Sequence, residues 1–172
     1  MLPAIRHTLG VVTIAAIVHV TVVPSTAAGQ ATRPVACAFV DAPELLRLTG
    51  KKDLFGGPQV MPRDELPPQH ASGCHYLGIM FFLDTAITPE SFARVRRGLE
   101  TRGFFKVQSI SGVGDEAYYM WDPKPGNYNA VGVVFRSGNR RVTVAENTPS
   151  DSVETMKKLL LSIAKTAAPR AR

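Results

Sequence analysis

No stretch of this chain is long enough to cross a membrane as a helix. Its longest apolar run, Leu9 to Val23, is 15 residues and carries His19, whereas a span needs about 20 apolar residues. Histidine is scarce, with four in 172 residues, and only His70 and His75 lie beyond residue 27, which leaves little from which to build a catalytic triad. No serine has a Gly-x-Ser-x-Gly context, so the strained nucleophile turn of the α/β-hydrolases is missing. Gly112-Val113-Gly114-Asp115 precedes strand-like sequence, whereas glycine loops that cradle phosphate open a helix. Nucleotide binding is therefore not expected, and neither is any cofactor.

What the first residues do contain is an export signal. Arg6 and His7 precede the apolar run, Pro24 breaks it, and Ser25 and Ala27 place small residues three and one before a cut. That order is the one a signal peptidase reads. We expect a secretory signal peptide over residues 1–27, a flexible mature N-terminus over 28–36, one domain over 37–168 and a tail over 169–172. The expected location is periplasmic or secreted, with no transmembrane segment after cleavage. Of 20 basic residues only Arg6 leaves with the signal, so 19 remain against 14 acidic ones, a net charge of +5. This excess is modest and scattered and does not suggest nucleic acid.

Cys37 and Cys74 are the only cysteines, and export delivers them to an oxidising compartment where a disulfide is expected. Two other readings compete. Val35-Ala36-Cys37 faintly resembles a lipobox, but the apolar run ends 14 residues earlier and Pro34 stands where an aliphatic residue belongs, so a lipid anchor is not expected. His70, Cys74 and His75 have a spacing that suits a metal, but an oxidised Cys74 offers no thiolate, and no metal is expected.

Along the chain, Asp41 and Glu44 read as a reciprocal cap on a short helix ended by Gly50. Residues 55–73 hold prolines and glycines without an apolar period and read as a long loop with little to bury. The run His75 to Asp84 reads as one central strand. Thr88-Pro89 caps a helix with Phe92, Val95 and Leu99 as its inner stripe, and Gly103 closes it. Strands are expected over 104–110, 116–121, 130–136 and 140–146, the last two as a hairpin. Thr148-Pro149 repeats the earlier cap before a final helix with Val153, Met156, Leu160, Ile163 and Ala167 inward. This order predicts an α+β fold, an antiparallel β-sheet with about three helices packed on one face and one disulfide.

The cysteine before a helix ending Leu48-Thr49-Gly50, the strand opening Cys74-His75-Tyr76, and the turn Gly112-Val113-Gly114-Asp115-Glu116-Ala117-Tyr118 together resemble small exported or lipid-anchored bacterial domains of unknown function. In those, paired cysteines and a Gly-x-Gly-Asp-x-Ala-Tyr turn recur. The resemblance spans roughly residues 37–165 and implies a disulfide and an α+β sheet, with no catalytic residues.

Tyr119 and Trp121 alternate onto one strand face, with Tyr128 across the 122–127 turn and Arg136 and Arg140 on the following hairpin. These five form the candidate binding surface. The expected function is an exported, non-catalytic binding or envelope-associated module, its partner a protein or a small anionic ligand of the cell envelope. The alternative is a small secreted hydrolase whose site is assembled only in the fold.

Overall fold

A computed structural model describes residues 35–50, 57–76, 78–124, 130–146 and 152–172. The expected signal peptide, its cleavage point and Tyr128 lie outside them. The described residues all fall in the unit Thr32–Arg172.

Seven strands form one antiparallel sheet: β1 (Gln59–Val60), β2 (Ser72–Tyr76), β3 (Ile79–Asp84), β4 (Lys106–Ile110), β5 (Glu116–Trp121), β6 (Val131–Ser137) and β7 (Arg140–Glu146), in the spatial order β1-β2-β3-β7-β6-β5-β4. Three helices accompany them: α1 (Ala42–Thr49), α2 (Pro89–Arg102) and α3 (Val153–Ala167). The expected α+β class and antiparallel sheet are present, and so is the disulfide, with the Cys37 and Cys74 Cα atoms 5.1 Å apart. It fastens the 3₁₀ turn Ala36–Ala38 to β2. Closing a separation of 37 residues restricts the unfolded chain by about 4 kcal/mol in the entropy treatment.

The helices divide between the two faces of the sheet. On the first face Phe81, Leu83, Val133, Phe135, Val142 and Val144 pack with Leu45 of α1 and with Met156, Leu160 and Ile163 of α3. On the second face Phe92 of α2 packs on Tyr118 and Val134. The reason is visible in β6, where Val131 to Phe135 are all buried. A strand without polar alternation has two dry faces, and each needs its own cover. Val95, placed by spacing on the inner stripe of α2, is 40% exposed, because only Phe92 and Leu99 reach the sheet.

Several expected elements resolve differently. The run from His75 to Asp84 is not one strand but the end of β2, a turn at Gly78 (φ +87°) and the whole of β3, which pair as a hairpin. The centre of the sheet is β7, with β3 beside it. Thr88 caps α2 as expected, in a reciprocal pair with Ser91. Asp41 sits at the N-cap of α1 but its carboxylate takes Arg170 at 3.0 Å instead of the helix amides, and Glu44 pairs with Arg47. Thr148 lies outside the described residues, and Ser152 caps α3. The expected tail is a 3₁₀ turn, Ala168–Ala171, in which Ala171 is fully buried and Arg170 donates to the Phe39 carbonyl.

The proline-rich loop also departs from its composition. Where α2 does not reach, the second face is covered by residues 61–71, the segment between β1 and β2: Leu66 is buried, and it and Met61 lie against Gly73, where a Cβ would come within 2.7 Å of both. The composition concealed this because two apolar side chains separated by four polar or proline residues make no period.

Candidate functional site

Among the described residues no helix is long and apolar enough to cross a membrane. The first cluster with chemical character lies on the second face. Asp84, 3% exposed, accepts from Arg141 Nε at 2.8 Å and lies 2.9 Å from His70 Nδ1, while the His70 ring stacks on Phe82 with centroids 4.5 Å apart. A histidine oriented by a buried carboxylate is half of a nucleophile-activating set. Here the carboxylate's other oxygen holds a guanidinium. His70 ends the covering loop, so the cluster fastens that loop to β3 and β7. The sequence treated His70 as a plain loop residue, and the 14-residue gap to Asp84 gave no signal of their meeting. Cys74 is bridged to Cys37, which removes the thiolate from the His70, Cys74, His75 spacing.

The five candidate surface residues are not gathered in one place. Tyr119 and Trp121 share the first face at one end of β5, half-buried beneath Lys157, whose Nζ lies 5.5 Å and 3.6 Å from their ring centroids. Lys157 also reaches Glu154 at 3.1 Å and Gln108 at 3.4 Å. Arg136 pairs with Glu116 at the opposite end of β5, five residues from Trp121, about 17 Å along the strand. It is bound on several sides, to Glu116, to Asp115 and to the Gly138 carbonyl. Arg140 lies at the same end but on the first face, where it donates to the main-chain oxygen of Arg172 at 3.1 Å. Tyr128 lies outside the described residues.

The two arginines thus mark the end of the sheet that carries the glycine turn. Val113 is buried and anchors that turn. Gly112 and Gly114 have φ of +76° and +56°, and a Cβ on Gly114 would overlap the Arg136 carbonyl oxygen, so glycine is required there. The Arg136 carbonyl instead accepts from Asp115 N at 2.8 Å, and the Asp115 carboxylate accepts from Gly138 N at 2.8 Å. The turn is therefore held from the second-face side.

On its other side lies a groove of about 460 Å³ lined by Gly112, Gly114, Lys165, Ala168, Pro169 and Arg172. Lys165 and the Arg172 guanidinium have no ion-pair partner among the described residues. The volume falls in the range of small-molecule sites. Neither cation is singled out by the sequence, because Lys165 lies in the last turn of α3, where basic residues occur for dipole reasons alone, and Arg172 lies in the expected tail; only the glycine turn signalled that this end of the sheet is shaped.

No family model matches the chain, and no curated protein does. Among solved structures it is similar to the solution structure of cyanobacterial PsbP (CyanoP) from Synechocystis sp. PCC 6803, with 12% identity and a TM-score of 0.39, over 64% of this chain and 81% of that one.

Proposed function

We propose that this chain is an exported, non-catalytic binding module of the cell envelope and that its ligand enters the groove between the glycine turn and the end of α3. The observation that carries the reading is a cleft of ligand size, about 460 Å³, lined by two cations that have no partner among the described residues. A turn braced by Val113, Asp115 and Arg136 supplies a rigid wall, and preformed walls lower the ordering cost of binding. The disulfide suits an oxidising compartment. Intact mass of the protein recovered from an exporting host tests the export half: the mature chain begins at Ala28 and carries no alkylatable thiol before reduction. A thermal-shift screen against small molecules tests the binding half, since a ligand of the folded state raises Tm by mass action. A stabiliser is expected that acts on the wild type and fails on Pro169→Trp, which fills the groove. A stabiliser indifferent to that substitution would move the site elsewhere.

The 2.9 Å contact between His70 and Asp84 favours one second reading, a small hydrolase with His70 as base. Turnover of chromogenic esters that disappears in His70→Ala, in protein that remains folded, would support it over binding.

A further inference from the structure

We infer that the groove beside the glycine turn takes an oxyanion, a carboxylate or phosphate carried on a small organic body. The inference rests on the binding reading above and names the chemistry of its ligand.

Charge is segregated across the turn. Its two acids, Asp115 and Glu116, are both spent on Arg136 on the second-face side. The groove side presents Lys165 and Arg172, and Arg140 stands next to them with one of its amino groups on the Arg172 main-chain oxygen. An ammonium and a guanidinium lining one cleft match an oxyanion, because charged donors to carboxylate or phosphate make the strong class of hydrogen bond. The walls between the cations are Gly112, Gly114, Ala168 and Pro169. The two glycines have no side chain that would keep a ligand from the backbone, and a Cβ built on Gly112 meets nothing within 4 Å. A bare ion would occupy a small part of about 460 Å³, so the remainder fits an organic body against the alanine and proline surfaces. The mature chain's formal net charge of +5, 19 basic against 14 acidic residues, favours the approach of such a ligand over long range.

The test is a titration of isotope-labelled mature protein, following the Gly112 and Gly114 amide resonances with four probes: glycerol 3-phosphate, citrate, glycerol, and vesicles containing phosphatidylglycerol. Saturable shifts are expected with the anions and none with glycerol. Lys165→Met should weaken binding about tenfold, the loss of one charge-assisted hydrogen bond, while Lys165→Arg retains it; Lys165 is solvent-exposed on α3, so both variants should keep the wild-type Tm. Shifts with vesicles but with neither soluble anion would support the same chemistry and place its source on a lipid headgroup. Glycerol acting as well as glycerol 3-phosphate, or affinity unchanged in Lys165→Met, would overturn the oxyanion while leaving a binding groove. Silence from all four probes overturns it too, and the binding reading itself falls only if no stabiliser sensitive to Pro169→Trp is found.

Discussion

Arg141 and Asp84 face each other across β7 and β3, joined by a 2.8 Å hydrogen bond from Nε to Oδ2, with 12% and 4% of their side-chain surfaces exposed. Such a pair adds little net stability when intact, but removing one partner strands the other charge. Asp84→Ala is expected to cost about 3 kcal/mol in urea unfolding. Asp84→Asn, which can still accept from Arg141, should cost less. Equal losses would mean that a neutral acceptor does not hold Arg141 and that the carboxylate charge itself is required.

His70 extends that pair to the loop over residues 61–71. In His70→Ala the amides of Met61 and Ala71, bonded to the Gly73 and Leu83 carbonyls, should exchange faster, while those of β6 are unaffected. Local opening of this kind leaves global stability largely in place. Exchange that rises uniformly over the sheet would instead make the cluster part of the global fold.

The same loop should not be dispensable. Leu66, 6% exposed, covers Gly73, and Leu66→Ala is expected to cost about 2–3 kcal/mol. Replacing Pro62 to Pro68 by a Gly-Ser link removes Leu66 as well and should lower Tm at least as far. An unchanged Tm in the deletion would show that the loop is a spacer, as its composition suggests.

Local signals were legible where they repeat. The strand β5 could be read from its composition, β6 and β7 from the hairpin turn between them, and the inner stripe of α3 from three-and-four spacing, and Thr88 could be read as a cap from its proline. The pairing of helices with faces could have been read from Val131 to Phe135, whose unbroken apolar run asks for cover on both sides. Long-range partners left no trace. Arg170 with Asp41, His70 with Asp84, and Lys157 with Trp121 are 129, 14 and 36 residues apart, and each joins residue types that are ordinary on a surface. The groove escaped notice for the same reason, since Lys165 and Arg172 meet the glycine turn only through the packing of α3 on β6.

Gly112 and Gly114 both have positive φ, but only Gly114 also lacks room for a side chain. Gly112→Ala should cost about 1 kcal/mol, the conformational preference alone. Gly114→Ala must also displace the Arg136 carbonyl and the Asp115 amide bonded to it, so a loss of about 3 kcal/mol is expected. Unfolding curves of the two variants decide this. Equal losses would mean that the turn yields freely and does not brace the groove.

Alkaline pH should weaken the fold through Tyr118. Its side chain is 1% exposed, and burial pushes its hydroxyl up to about 12 from an ordinary value near 10, against the opposing pull of Arg141 and Arg96 and with a small push from Glu100. The neutral form is the one the core accommodates. Below pH 10 the phenol is protonated in both the folded and the unfolded chain and contributes no pH dependence. Between about pH 10 and 12 the unfolded chain gives up its proton first and so holds fewer protons than the folded one, and stability falls as pH rises. The full loss, reached above the folded value, is about 2–3 kcal/mol. Tyr119, also raised, first by burial and then by Glu154, acts in the same direction. Urea unfolding between about pH 9 and pH 12 measures the slope, and Tyr118→Phe isolates the share that belongs to Tyr118. The variant's curve should be flatter than that of the wild type across this window; parallel curves would mean that Tyr118 ionises as readily in the folded protein as in the unfolded chain.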